Sequence, residues 1–132
     1  MARNDTFHCS VITPERAVLE ADATFVAFPA HDGEVGILKH RAPLLYKLGT
    51  GELRVVTAEG TQRLFVDGGF AQMVEDRLTI LTEQARRLDE IDRAAAQRAL
   101  AEARTMPMVT DAQFAARQRA VRSAEVQIKL AS

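Results

Sequence analysis

The chain has 132 residues, 47% hydrophobic and 27% charged, with a net charge of −1; this suits one sandwich-sized body with at most a small appendage, and excludes two full domains or wholesale disorder. So small a charge without a dense Lys/Arg block gives no field to hold nucleic acid, and the single cysteine, Cys9, excludes an internal disulfide and fits a reducing, cytoplasmic compartment. No stretch approaches the roughly 20 apolar residues that span a bilayer, and the first six residues lack an apolar leader core, so work at a membrane is expected only through a partner.

From Thr6 to Thr82 the sequence reads as short β runs between turn residues. Phe7-His-Cys-Ser-Val11 alternates apolar and polar positions, which predicts a strand with one buried face and sends His8 and Cys9 to opposite sides. Further runs are Ala17–Leu19, Thr24–Phe28, the alternating Leu53 and Val55, Leu64–Val66 and Leu78–Leu81. Turn signals at Asp32-Gly33, Gly49-Thr-Gly51, Glu59-Gly60, Gly68-Gly69 and Glu75-Asp76 give the rhythm of an antiparallel sandwich or barrel. Residues 1–84 are therefore expected to form an all-β domain.

After Gln84 the composition turns to Ala, Arg, Glu and Gln without glycine, which favours helix, and residues 85–132 are expected to form a helical hairpin. Asp89 or a neighbour can cap a first helix through about Arg104, and Pro107 forbids its smooth continuation. Thr110-Asp-Ala-Gln113 matches a capping box, starting a second helix over Asp111–Leu130. On that helix Phe114, Val121, Ala124 and Ile128 share a side that packs, with Phe114, Val121 and Ile128 expected against the first helix or, alternatively, against a partner when the hairpin extends, and Arg119, Arg122 and Lys129 cluster on an adjoining side. The first helix offers Leu88, Ile91, Ala95 and Ala99 on one side and Ala96, Leu100 and Ala103 on the other. Alanine seams bury little, each methyl contributing about 0.8 kcal/mol, so the hairpin is expected to dock only marginally. The charge is uneven too: the first 81 residues carry eight basic and eleven acidic groups, the remainder nine and seven.

Catalytic signals are missing. Neither Gly-x-x-x-x-Gly-Lys nor Gly-x-Gly-x-x-Gly occurs, nor any Gly-x-Ser-x-Gly. His8, Cys9, His31 and His40 are the plausible soft metal ligands, but a regular strand sends His8 and Cys9 to opposite faces, so no metal site and no cofactor is expected. A small metal-dependent enzyme on a β-sandwich is the competing reading that stoichiometric zinc or iron would support. Paired acids such as Asp89-Glu90 fit charge placement at a helix start.

The segment Pro29-Ala-His-Asp-Gly-Glu-Val-Gly-Ile-Leu-Lys-His-Arg-Ala-Pro-Leu-Leu45 resembles the Gly-Glu-x-Gly-x-Leu-Pro-x-His-Ala-Pro-Leu-Leu signature of the epsilon subunits of rotary proton-driven ATP synthases, called delta in mitochondria. Thr13-Pro-Glu15, Leu53-Arg-Val55, Val66-Asp-Gly-Gly-Phe70, Thr79-Ile-Leu81 and Ile91-Asp92 follow the family's order. The resemblance implies an N-terminal antiparallel β-sandwich followed by a helical hairpin, in a non-catalytic central-stalk subunit. It further implies partners: the sandwich holds gamma and the c-ring, carrying rotation to the alpha/beta catalytic head, on the cytoplasmic face of a bacterial membrane. By the same resemblance, His31, Glu34, His40, Arg41 and Pro43 are candidate contacts with gamma or the c-ring. Arg119, Arg122 and Lys129 are candidates for an acidic loop of the beta subunit, with the hairpin regulating ATP hydrolysis.

This sequence departs from the pattern in two places. The family's Pro and His stand here as Lys39 and Arg41, with His40 between them. The alternative function, an ATP-sensing hairpin, draws on the family's Ile/Leu-Asp-x-x-Arg-Ala motif, of which Asp92 is kept while Ala95 replaces the Arg. Arg93 or Arg98 would have to replace that lost phosphate partner.

Overall fold

The computed structural model describes residues 5–131. Residues 1–4, on which the expectation of an absent leader partly rests, lie outside the described residues. Nine strands form in chain order: β1 Phe7–Ile12, β2 Ala17–Ala30, β3 Gly33–Ile37, β4 Leu44–Lys47, β5 Thr50–Thr57, β6 Gly60–Asp67, β7 Phe70–Val74, β8 Arg77–Leu81 and β9 Ala85–Arg87. A 3-10 turn at Leu88–Glu90 leads into α1 Arg93–Ala103 and α2 Asp111–Leu130. Two compact units result, one ending at Arg87 and the other starting at Leu88.

The strands follow the order β4-β7-β8-β1-β2-β5-β6-β9, with β3 on β2. Their inward side chains meet in one core: Cys9 and Val11 of β1, Met73 of β7 and Ile80 of β8 share a cluster with Phe28, Leu53, Val55 and Leu64 from the other half. That is a β-sandwich. Pairing is antiparallel except between β1 and β8, which run parallel. No tight turn joins those two strands, so nothing obliges them to run oppositely.

The runs Ala17–Leu19 and Thr24–Phe28 prove to be one strand. The first half of β2 pairs with β1, the second half with β5 and β3, and the register slips between Ala23 and Phe25. A bulge bends one long strand, so that it serves both halves of the sandwich. The Pro29–Leu45 segment holds strands as well as turns, since β3 and the start of β4 lie within it. Ala85–Arg87, read as the start of the helical region, pairs with Val66, Phe65 and Leu64 of β6 instead.

The hairpin follows its sequence signals with two corrections. The cap of α1 is Asp92, whose Oδ1 accepts the Ala95 N–H at 3.1 Å, while Asp89 stands in the preceding 3-10 turn. The capping box of α2 is present in full, Thr110 and Gln113 each taking a backbone N–H of the other. Packing of the two helices is carried by small residues. Ala96, Ala103, Ser123 and Ala124 are buried with Val126, whereas Phe114, expected inside, is 46% exposed, and Val121 and Ile128 are half-buried. A phenylalanine does not fit a seam in which alanines bring two backbones close. Polar ties fasten the helices: Arg93 Nη1 donates to Ile128 O at 3.3 Å, Arg117 Nη2 donates to Arg104 O at 3.1 Å, and Arg104 pairs with Glu125 at 3.8 Å.

Candidate partner-binding surface

The β4-β7-β8 part of the sandwich exposes a row of large apolar side chains: Leu45 68%, Phe70 50%, Val74 39% and Leu81 47%. The register puts them on one face. Lys47 pairs with Phe70, Phe70 with Leu81, Leu45 with Gln72, and Val74 with Arg77. Their chain neighbours Ala71, Met73 and Ile80, and Leu78 beside Arg77, point the other way and are buried. Half-buried Ile12 pairs with Leu81 and extends the row onto β1. An apolar stripe drawn from β4, β7, β8 and β1, with Gln72 and Thr79 within it and Lys47 and Arg77 beside it, is the chemistry of a protein-binding face.

Sequence reasoning missed this face, although the signal was present. Leu44-Leu45, Met73-Val74 and Ile80-Leu81 are doubled apolar residues. In a period-2 strand each pair must set one member outside.

The five expected sandwich contacts do not converge. His31 and Glu34 flank the β2–β3 turn, where the His31 N–H donates to Lys47 O at 3.0 Å. His40, Arg41 and Pro43 lie in the β3–β4 connection, at the Leu44 end of β4. The two groups lie toward opposite ends of β4, whose four residues span about 13 Å at 3.3 Å per residue. All five residues are exposed. Glu34 is held by Arg54, whose Nη1 donates to Oε2 at 3.0 Å.

His40 occupies the left-handed region at φ 65°. Its N–H donates to Asp76 Oδ1 at 2.8 Å and its ring lies 3.5 Å from Oδ2, so the departure from the family pattern is pinned to the β7–β8 turn. Glu75 and Asp76 themselves form that turn with positive φ at both, the two-residue hairpin geometry that matches strand twist.

On the hairpin, Arg119, Arg122 and Lys129 are exposed along one side of α2. Asp92 serves as the α1 cap, and its donor is the backbone of Ala95, the residue that stands where the ATP motif has Arg. Of the soft ligands, Cys9 is wholly buried, its thiol pushed up to about 12 by desolvation. His8 faces outward to two carboxylates, on the opposite side from Cys9.

The model of the ATP synthase delta/epsilon chain β-sandwich domain matches residues 6–88. The ATP synthase epsilon chain of Rhodopirellula baltica is 44% identical over 124 residues, covering 94% of this chain and 97% of that one. A chain in the mitochondrial ATP synthase of Euglena gracilis, solved by cryo-EM with OSCP, F1 and c-ring, is similar with TM-score 0.76 and 23% identity, over 91% of this chain and 78% of that one. A chain in the central stalk and c-ring structure of the Tetrahymena thermophila mitochondrial ATP synthase gives TM-score 0.67 and 16% identity, over 95% and 96%. At those identities the two structures speak for the fold alone.

Proposed function

The chain belongs to the ATP synthase delta/epsilon chain family, and from that premise we propose that it is the non-catalytic central-stalk subunit of a proton-driven ATP synthase, with a sandwich that holds gamma and rests on the c-ring. The observation that carries this reading is the exposed stripe of Leu45, Phe70, Val74 and Leu81. A face so apolar on a chain this small needs a partner, and a rigid strand-built face suits a load-bearing contact. None of the helices described is long and apolar enough to cross a membrane, and the subunit is peripheral, on the cytoplasmic face of a bacterial membrane, through its complex.

His31 and Glu34 at one end of β4, and His40, Arg41 and Pro43 at the other, are separate contact points for gamma and the c-ring. The unit beginning at Leu88 is the regulatory hairpin, which presents Arg119, Arg122 and Lys129 to an acidic loop of the beta subunit and restrains ATP hydrolysis by the alpha/beta head.

Co-purification with gamma tests the reading. Wild type is expected to form a one-to-one complex, and Phe70→Ser with Leu45→Ser to weaken it at least tenfold while the fold is kept, because both side chains already face water. A well-folded wild-type chain with no affinity for gamma would sink the proposal.

A further inference from the structure

Beside the stripe, on the same face, His8 sits between two acids. Its Nε2 lies 2.9 Å from Glu20 Oε1 and its Nδ1 3.3 Å from Asp22 Oδ1, while Ser10 Oγ donates to the same Glu20 oxygen at 3.2 Å. A neutral imidazole owns a single N–H, so either tautomer turns a lone pair toward a carboxylate oxygen. Only the imidazolium donates to both acids.

The charged groups around the ring come from two neighbouring strands. Glu20 and Asp22 belong to β2, and Arg77 of β8 is the register partner of His8. From the β7–β8 turn, the Asp76 backbone carbonyl takes the His8 N–H at 3.0 Å, its carboxylate being turned to His40. Glu75 in that turn and Asp5 ahead of β1 are exposed. One transverse row runs Val74, Arg77, His8, Asp22, so the cluster abuts the stripe directly.

We propose that His8 is a proton-operated clasp that gates the adjoining apolar face. With the ring protonated, His8, Glu20, Asp22 and Arg77 sum to neutrality, and the clasp ties β1 to β2. With the ring neutral, one acid loses its donor and the cluster carries a net negative charge beside the stripe. Covering a net charge with an apolar partner costs more than covering a neutral group, so affinity falls as pH rises. This gating rests on the gamma reading; the clasp itself does not.

Hydrogen bonds to the carboxylates of Glu20 and then Asp22 raise the imidazole above its ordinary 6.5, against a smaller opposing effect of burial. The clasp's stabilisation is therefore complete below pH 6.5 and is lost as pH rises through the raised folded value. Glu20 is held below its usual 4.5, first by His8 and then by Ser10, so its own contribution is present above 4.5 and is lost as pH falls through the lowered value.

The full chain is followed by NMR of the His8 ring and by thermal unfolding from about pH 5.5 to 9, beside His8→Gln, and gamma affinity is measured at about pH 6 and 8.5. The ring is expected to titrate above 6.5, and the stability advantage over His8→Gln to shrink as pH rises. Gamma affinity should fall about threefold or more across that interval in wild type, and stay level in His8→Gln and in the permanently charged His8→Lys. A ring titrating at or below 6.5 overturns the clasp, and parallel affinity profiles in wild type and His8→Gln overturn the gating. Absence of gamma binding at every pH ends the gating together with the partner reading, whereas the ring titration still decides the clasp.

Discussion

Gly69 shows how little freedom a single position can have. It stands at φ 103°, and a Cβ there would lie 1.8 Å from the Leu81 carbonyl oxygen. Backbone atoms cannot rotate aside as a flexible side chain does. Gly69→Ala is therefore expected to cost about 3 kcal/mol or more, from left-handed strain added to overpacking, read as a lowered urea midpoint. Asp76 works at the same scale with a gentler consequence. It takes the His40 N–H and approaches its ring, and so fixes the loop that carries His40, Arg41 and Pro43. Asp76→Ala should cost about 1 kcal/mol, the contact being partly exposed, and should speed amide exchange at His40 without disturbing β1 or β5. The turn at Glu75-Asp76 was legible in the sequence. Its bond to residue 40 was not, because thirty-six positions separate the two.

Elements divide by how local their signals are. The capping box of α2 is read within four residues, and it forms as read. Thr110→Ala should cost about 1 kcal/mol and fray the first turn of α2, visible as faster exchange at Gln113 and Phe114. The interior of the hairpin is less legible. Periodicity marks which residues share a side of a helix, yet the choice between large and small side chains at the seam depends on how near the second backbone comes. Hence Ala96, Ala103, Ser123 and Ala124 are buried and Phe114 is not. Among the strands, β2 was visible only in pieces, since its middle residues Ala21-Asp22-Ala23 carry a weak β signal and are held by pairing to β1. Likewise β9 has helix-favouring composition, and pairing to β6 overrides it. Ending the chain after Arg87 should leave a sandwich that unfolds cooperatively. Ending it after Gln84 should destabilise that sandwich by about 1 to 3 kcal/mol, by removing ladder bonds and uncovering the β6 edge, as a pair of urea curves would show.

For the whole molecule, the division near Leu88 separates a strand-built unit with a deep core from a helical unit with a shallow one. Large side chains such as Phe28, Leu53, Leu64 and Ile80 are fully buried in the first. Leu53→Ala should cost about 2 to 5 kcal/mol of sandwich stability, more than trimming a seam alanine to glycine, which costs about 1 kcal/mol. If the hairpin restrains hydrolysis, removing everything after Leu88 should raise ATP hydrolysis by the reassembled complex while gamma binding persists. Reversing charge at Arg119 and Arg122 should give part of the same release. Unchanged hydrolysis in both would leave the hairpin as scaffold only.

Period-2 alternation, turn residues, helix composition and the capping box lie within a few positions of one another, so the sequence by itself determined a β body followed by two helices. Ordered motifs such as Val66-Asp-Gly-Gly-Phe70 determined the family in the same local way. The tertiary structure decided which member of each doubled apolar pair meets water, that His8 is caught between Glu20 and Asp22, and that the expected contacts fall at two ends of β4. Those features depend on strand register and on pairs of residues ten to forty positions apart. Register is fixed by the burial of the whole core at once, which no local stretch of sequence contains.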